Sequence, residues 1–240
     1  MNGLVVRDVG KSFGGVRALE GVDLDVAPGA IVGLMGANGA GKTTLFGVIA
    51  GNERADAGTI TFEGRRIDGL RPDRVAALGI ARTFQIVRPF RALSVRDNVL
   101  LAARFGRRPR DDDPAATTAA ALADLGLAEQ AGRPAGALTL AEQKRLELAR
   151  AVATGARLVL VDEVMAGLNA TEVAAMLDVI GRLHQDRRLT LLVVEHVMQA
   201  LMRLAQRIVV LHQGRVIAEG EPATIAGDAR VSEAYLGAAP

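Results

Sequence analysis

A chain of 240 residues is long enough for one full domain with a sizeable hydrophobic core. Its 29 basic and 27 acidic side chains leave a net charge of only +2, and its aromatic content of 3% is too low for a base-stacking surface, so nucleic acid is not an expected partner. The absence of cysteine excludes disulfides, thiolate zinc sites and cysteine catalysis, and it fits a reducing compartment. No apolar run approaches the roughly 18 residues of a membrane span, so we expect no such span.

Apolar runs that alternate with helical patterns predict a parallel α/β sheet covered on both faces. The predicted strands are 30–35, 157–161, 189–194 and 207–211, and the predicted helices are 42–50, 171–187 and 197–204. Alternating segments at 4–9, 22–26 and 58–62, separated by turn signals, predict a small antiparallel sheet beside this core. Residues 94–154 are rich in Ala and Leu and predict inserted helices, which a charged loop at 107–113 divides.

The strongest motif is a phosphate-binding loop that follows the first core strand and opens the next helix. It fits G-x-x-x-x-G-K-[ST] at every fixed position and predicts a nucleotide site made of Gly36, Ala37, Asn38, Gly39, Ala40, Gly41, Lys42, Thr43 and Thr44. The glycines let successive backbone N–H groups face a β-phosphate, and the helix adds its positive end. Lys42 is expected to reach the β and γ oxygens, and the Thr43 hydroxyl to ligate Mg²⁺.

Lysine is rare in this chain, which holds only three against 26 arginines. A phosphate-binding loop needs a compact ammonium on a thin stem, and a planar guanidinium does not replace it. The retention of a lysine at position 42 therefore supports the motif independently of its spacing.

A buried apolar strand that ends in two carboxylates, Asp162 and Glu163, predicts the second half of the site. Asp162 would hold Mg²⁺ through water, and Glu163 would orient or deprotonate the attacking water. A further apolar strand, 191–194, leads to His196, which is placed to face a γ-phosphate from a neighbouring strand.

Together these motifs resemble those of the ATP-binding subunit of an ABC transporter, and the likeness covers nearly the whole chain. The resemblance implies that Phe13 stacks on adenine and that Gln85, which ends the segment R-T-F-Q, links Mg²⁺ and the attacking water to a helical subdomain. It also implies that Asp162 and Glu163 are the Walker B pair and that His196 is the switch histidine. Gln85, Glu163 and His196 would thus be the catalytic residues.

The segment L-T-L-A-E-Q stands where the family's signature sequence L-S-G-G-Q belongs, and it departs from that pattern. Thr139 keeps the hydroxyl of the usual serine, but Leu140 and Ala141 replace both glycines and Glu142 replaces glutamine. The resemblance implies that this segment meets the nucleotide of a second ATPase subunit. The substitutions favour a weakened signature and a heterodimer, whereas a shifted helix start would leave the motif working.

A narrower likeness points to the ATPase subunits of branched-chain amino acid importers. It rests on G-I-A-R-T-F-Q-I-V-R-P-F at 79–90, A-G-L-N at 166–169, V-E-H at 194–196 and E-A-Y-L-G at 233–237. These segments indicate the importer class better than its substrate, because urea, short amides and other small solutes use similar ATPases.

The fold that the resemblance implies is an α/β P-loop NTPase (RecA-like) core with a flanking antiparallel β subdomain and an inserted α-helical subdomain. We expect one ABC ATPase domain over 1–240, in which 1–85 and 154–220 form the core with the β subdomain, 86–153 the helical subdomain and 221–240 a C-terminal tail. The implied cofactors are ATP and Mg²⁺. The implied partners are a second ABC ATPase subunit, identical or related, transmembrane permease subunits and a periplasmic or extracellular solute-binding protein. The implied location is the cytoplasmic face of a bacterial inner membrane, as a peripheral subunit.

Other functions compete with this interpretation. A soluble ABC ATPase that acts in DNA repair or translation usually carries a coiled-coil insertion or two tandem cassettes, and a single 240-residue cassette offers neither. A GTPase would need an N-K-x-D guanine reader, which does not occur, and a P-loop kinase would not need a signature, a Q-loop and a switch histidine together. A regulator that does not hydrolyse nucleotide would be expected to lose Glu163 or His196, and both residues are present.

Overall fold

The computed structural model describes residues 3–83, 88–106 and 113–236, with side chains up to 234. These residues divide into two units, one within Met1–Val75 and Thr190–Pro240 and the other within Ala76–Leu189. Of the charged loop predicted at 107–113, all but the last residue lies outside the described residues.

The first unit contains an antiparallel sheet with the strand order β2-β1-β4-β5. Its strands are β1 (Leu4–Phe13), β2 (Val16–Val26), β4 (Ala57–Phe62) and β5 (Arg65–Arg66). β1 and β2 form a hairpin through Gly14 and Gly15, which both have positive φ, a conformation that glycine adopts without steric cost. The predicted small antiparallel sheet is confirmed. Its strands run further than the alternating pattern predicted, because irregular pairing continues past Val9 up to this turn.

The same unit holds a set of parallel strands, one of which leads into the phosphate-binding loop. They are β3 (Ile31–Met35), β8 (Thr190–Val194) and β9 (Arg207–His212), and β10 (Arg215–Gly220) follows β9. β3 lies between β8 and β9 and is parallel to both, whereas β10 is antiparallel to β9. Every residue of β3 and β8 is buried, as expected for strands covered on both faces. The predicted strands 30–35, 189–194 and 207–211 are therefore confirmed to within one residue at each end.

The helices of the first unit follow or flank these strands. They are α1 (Lys42–Ile49), α7 (Met198–Leu204), α8 (Pro222–Ala226) and α9 (Ala229–Leu236), while the short α2 (Pro72–Ala77) ends just beyond Val75. α1 begins directly after the phosphate-binding loop, as its glycines and Lys42 predicted.

The second unit consists of a two-stranded parallel pair and a group of helices. Its strands are β6 (Ile80–Arg82) and β7 (Leu158–Asp162), and its helices are α3 (Val95–Phe105), α4 (Pro114–Asp124), α5 (Leu140–Ala153) and α6 (Ala170–Arg187). α3, α4 and α5 pack against one another, so the helical region predicted from the composition is found. α6 starts one residue before the predicted 171–187.

A membrane span would need a long apolar helix. Along the stretches 3–83, 88–106 and 113–236, no helix is long and apolar enough to cross a bilayer.

Candidate functional site

The phosphate-binding loop forms a tight curve between β3 and α1. Gly36, Gly39 and Gly41 have φ values of 155°, 79° and 106°, which favour glycine over any L-residue with a side chain. A Cβ on Gly36 would overlap the carbonyl oxygen of Leu211, and one on Gly41 would lie 2.5 Å from the carbonyl oxygen of Ala18. Gly36 and Gly41 are therefore required by space as well as by conformation.

Lys42 is the first residue of α1, and its ammonium turns back into the loop. Its Nζ donates to the carbonyl oxygens of Gly36 at 2.6 Å and Ala37 at 3.0 Å, and the residue is only 6% exposed. Within the loop Ala40 is buried and Asn38 is exposed, while the first turn of α1 carries an exposed Thr43 and a half-buried Thr44. A buried cation, the start of a helix and a glycine-curved backbone together fit a bound phosphate group.

The turn between β9 and β10 fastens this loop to the antiparallel sheet. The backbone N–H of Gly214 donates to the carbonyl oxygen of Ala40 at 3.0 Å. The carbonyl oxygen of Gly214 accepts from the backbone N–H of Glu20 at 2.8 Å. The position of the loop is thus set by β2 as well as by β3.

Phe13, the predicted adenine-stacking residue, stands at the end of β1 and is 44% exposed. The Nζ of Lys11 lies 4.9 Å from the centroid of its ring. The strand end is anchored because Asp56 accepts from the Ser12 backbone N–H at 2.7 Å and from Lys11 at 3.2 Å. These donors, the Ser12 N–H first, lower the pKa of Asp56. Phe13 therefore offers an exposed ring on an anchored strand end.

His196 leaves the sheet beside the phosphate-binding loop. β3 and β8 pair with Leu34 opposite Val194, so Gly36 and His196 each follow two residues beyond this pair at the same edge. His196 is exposed, whereas the preceding Glu195 is only 4% exposed. The prediction that this histidine comes from a strand next to the loop is confirmed, while its catalytic role stays a prediction.

In the second unit, Asp162 ends β7 and Glu163 follows it, and both are buried, at 4% and 7% exposure. Glu163 has a φ of 49°, in the left-handed region that few residues other than glycine adopt. Such backbone strain is found mainly at functional sites, where neighbouring contacts hold the residue in place.

Arg82 pairs with Asp162, a contact that sequence reasoning did not predict. Its Nη2 lies 2.8 Å from Oδ2 of Asp162, and the two side chains are 13% and 5% exposed. Thr83 supports the same strand end, because its Oγ1 accepts from the backbone N–H of Asp162 at 3.0 Å. Removing one partner of a buried ion pair typically costs about 3–5 kcal/mol, so Arg82 contributes substantially to holding Asp162 in place.

Lys144, on α5, contacts the backbone of Glu163. Its Nζ donates to the Glu163 carbonyl oxygen at 3.0 Å, and Lys144 is 3% exposed. A buried donor from the helix that begins at the signature segment therefore helps to hold the strained residue. The rarity of lysine was the only sequence signal for this position.

The signature segment forms a regular helix start without its glycines. Thr139 is the N-cap of α5, its Oγ1 accepting from the Glu142 N–H at 3.3 Å, while Glu142 Oε2 accepts from the Thr139 N–H at 2.8 Å. Leu140 is 46% exposed, and Ala141 is buried. Leu140 also lies against Gly167, where an added Cβ would be 3.0 Å from its Cδ2.

Two further points concern the predicted metal site. Gln85 lies outside the described residues. Elsewhere in the described stretches, no group of three or more His, Cys, Asp or Glu residues is placed to hold a metal ion. A Mg²⁺ ion would therefore depend on phosphate oxygens for part of its ligands, as is usual in nucleotide sites.

Comparisons with known proteins identify the family. The family model described as ABC transporter matches residues 19–166. A second model, described as branched-chain amino acid ATP-binding cassette transporter, matches residues 215–240. The chain therefore belongs to the ABC transporter family and is one of its nucleotide-binding ATPases, so the resemblance found in the motifs is confirmed.

Two similar relatives are ATP-binding proteins of high-affinity branched-chain amino acid transport. LivG of Salmonella typhimurium strain LT2 is 38% identical over 256 residues, an alignment that spans 100% of this chain and 97% of LivG. BraF of Pseudomonas aeruginosa is 36% identical over 253 residues, with the same shares of each chain.

A solved structure confirms the predicted fold class. The ADP conformation of MJ1267, an ATP-binding cassette of an ABC transporter, has a TM-score of 0.90 and 28% sequence identity, and the match covers 99% of both chains.

Proposed function

We propose that this chain is the ATP-hydrolysing subunit that drives an importer of branched-chain amino acids. The observation that carries the proposal is its full-length similarity to LivG and BraF, together with the match of residues 215–240 to the branched-chain amino acid cassette model. The geometry of the phosphate-binding loop supports nucleotide binding independently. Backbone conformations that favour glycine and the buried ammonium of Lys42 occur together at the start of one helix.

In this proposal the first unit binds the nucleotide. Phe13 stacks on adenine, the backbone N–H groups of 36–44 hold the phosphates, and Lys42 exchanges its two carbonyl acceptors for phosphate oxygens. Thr43, Gln85 and Asp162 are the residues that would hold Mg²⁺. The ion, when bound, neutralises the charge that develops on the transferred phosphoryl group.

Hydrolysis then requires a water molecule in line with the γ-phosphate. Glu163 accepts the proton of that water as its oxygen bonds to phosphorus, and the bond to the ADP oxygen breaks. His196, at the edge of the sheet next to the loop, donates to a γ-phosphate oxygen and keeps the phosphate oriented. Gln85 would hold Mg²⁺ and orient the attacking water.

The proposed assembly contains two ATPase subunits. The segment 139–142 of this chain faces the nucleotide of the partner subunit, and permease subunits convert closure and reopening of the pair into transport. A solute-binding protein delivers the substrate, and the chain works as a peripheral subunit at the cytoplasmic face of the membrane. The family to which this chain belongs and the names of its relatives support this arrangement.

ATP hydrolysis and DNA binding test the ATPase proposal on the purified chain. We expect Mg²⁺-dependent release of phosphate from ATP and only weak, sequence-independent affinity for duplex DNA, because a net charge of +2 supplies few phosphate contacts. Phosphate release and a salt-dependent DNA titration measure both. Tight DNA binding that falls steeply with salt would favour a DNA-repair ATPase instead.

The altered signature predicts an asymmetric pair. In the proposed assembly the exposed Leu140 adds a side chain where backbone and phosphate have to approach closely, and the buried Ala141 lacks the backbone freedom of glycine, so we expect a weak ATPase in a homodimer of this chain. Replacing both residues, Leu140→Gly with Ala141→Gly, is expected to raise that activity. An exposed alanine replaced by glycine in α4, Ala119→Gly, controls for the helix destabilisation of about 1 kcal/mol that glycine causes. A fast wild-type homodimer, unchanged by the double replacement, would contradict the asymmetry.

A further inference from the structure

Arg82 and Asp162 are placed together by the register of two parallel strands. Arg82 is paired with Leu160 in the β6–β7 ladder, and Asp162 lies two residues further along β7. Because side chains two residues apart share one face of a strand, Asp162 projects on the side of Leu160. From its position in the neighbouring strand, the Arg82 guanidinium reaches Oδ2 of Asp162 at 2.8 Å.

The charge balance at this strand end explains why the pair forms. The side chain of Asp162 is only 5% exposed, so its carboxylate has lost most of its hydration and requires a cation. Arg82 supplies one, with its own side chain 13% exposed. In the proposed function, however, the same carboxylate holds Mg²⁺ through water.

Two cations then meet at one carboxylate. Like charges within a few ångströms oppose each other, and the opposition is stronger where burial reduces the screening by water. A guanidinium bound to Asp162 therefore lowers the attraction of this carboxylate for a divalent ion.

We propose that Arg82 is a built-in competitor of Mg²⁺ at Asp162. It serves as the counter-ion of the buried carboxylate while the metal is absent, and it sets how tightly the metal is held. The proposal rests on the proposed function, since Asp162 must be a metal-holding residue for it to apply. Arg82 acts through Asp162 and is a positioning residue, not a catalytic one.

The competing explanation is that Arg82 only supports the fold. A support that merely holds Asp162 in place would, on removal, leave metal binding weaker or unchanged, because the carboxylate would become less well positioned. Competition predicts the opposite sign. Metal affinity therefore separates the two roles, whereas a loss of stability alone would not.

The test measures Mn²⁺ binding to the full chain loaded with one equivalent of ADP, with free Mn²⁺ read from its EPR signal. We expect Arg82→Gln to lower the Mn²⁺ Kd about three- to tenfold. Arg150→Gln is the matched control, because Arg150 lies 2.7 Å from Glu147, another buried carboxylate of the same unit, and does not touch Asp162. Its Mn²⁺ Kd is expected to stay within about twofold of wild type.

Thermal unfolding supplies an independent readout. In EDTA, Arg82→Gln is expected to unfold about 5–15 °C below wild type, because Asp162 then lacks a counter-ion. Saturating Mg·ADP is expected to restore most of this difference, since the metal supplies the missing positive charge. The loss caused by Arg150→Gln is expected to persist in Mg·ADP.

Each outcome decides the matter. A Mn²⁺ Kd for Arg82→Gln that equals or exceeds that of wild type overturns the competition. Should that variant not fold, Arg82→Lys decides instead: its compact ammonium lacks the planar fork, so a Kd below wild type supports the proposal and an equal or higher one overturns it. Wild-type chain that binds no Mn²⁺ with ADP would instead contradict the proposed function itself.

Discussion

The variant Glu163→Gln is expected to bind Mg·ATP normally and to hydrolyse it about 10²–10⁴-fold more slowly than wild type. The amide keeps the size and shape of the carboxylate but cannot accept the proton of the attacking water. The backbone of residue 163 should hardly change, because its strained conformation is held from outside by Lys144 and by the turn that follows. Phosphate release and ATP titration, measured on the same preparation, separate the two effects.

Glu129→Gln is a suitable control for this variant, since Glu129 is exposed and lies in the same unit outside the predicted site residues. With a competent partner subunit, Glu163→Gln should also accumulate as an ATP-closed dimer on gel filtration. Near-normal turnover would remove Glu163 from the role of general base. Loss of ATP binding would indicate that the substitution acts on nucleotide binding instead of on the chemical step.

The variant Lys42→Ala is expected to fail one step earlier, at nucleotide binding. It removes the only side-chain cation of the phosphate-binding loop, and hydrogen bonds to charged groups contribute about 1.5–3 kcal/mol each, so ATP affinity should fall about 10- to 100-fold. Calorimetric titration with Mg·ATP measures the loss. Thermal unfolding without nucleotide verifies that the variant is folded.

Lys42→Arg is the sharper variant, because it keeps the charge. The Lys42 Nζ sits buried within 3.0 Å of two backbone carbonyl oxygens, and a planar guanidinium is too wide for that space. We expect this variant to bind ATP poorly as well. Binding as tight as that of wild type would show that charge alone matters, and the argument from the rarity of lysine would be wrong.

Local patterns sufficed to predict the strand, the glycine-rich loop and the helix around Lys42. The strand before the loop is continuously apolar, the loop is rich in glycine, and Lys42 begins a helix, so the pattern that predicts the loop lies within about fifteen residues of sequence. The capping boxes of Thr139 with Glu142 and of Asn169 with Glu172 were not predicted, although both follow a local pattern of a cap and an acidic residue three positions later.

The supports of the two carboxylates could not be predicted in this way. Arg82 meets Asp162 across 80 residues of sequence, and this contact depends on which strands pair and in which register. Lys144 reaches the Glu163 carbonyl only because α5 packs near the end of β7. A strand that ends in two acidic residues indicates which chemistry is available. The positions of the cations that contact those residues depend on the tertiary fold.

Substrate-coupled ATP hydrolysis tests the central claim most directly. The chain would be reconstituted in liposomes with its partner ATPase, its permease subunits and the solute-binding protein, and phosphate release and uptake of labelled leucine, isoleucine, valine and urea would be measured together. We predict that the branched-chain amino acids stimulate hydrolysis and accumulate inside the liposomes, and that Glu163→Gln abolishes both effects. Hydrolysis that responds to none of these amino acids, or uptake that persists with Glu163→Gln, would contradict the account.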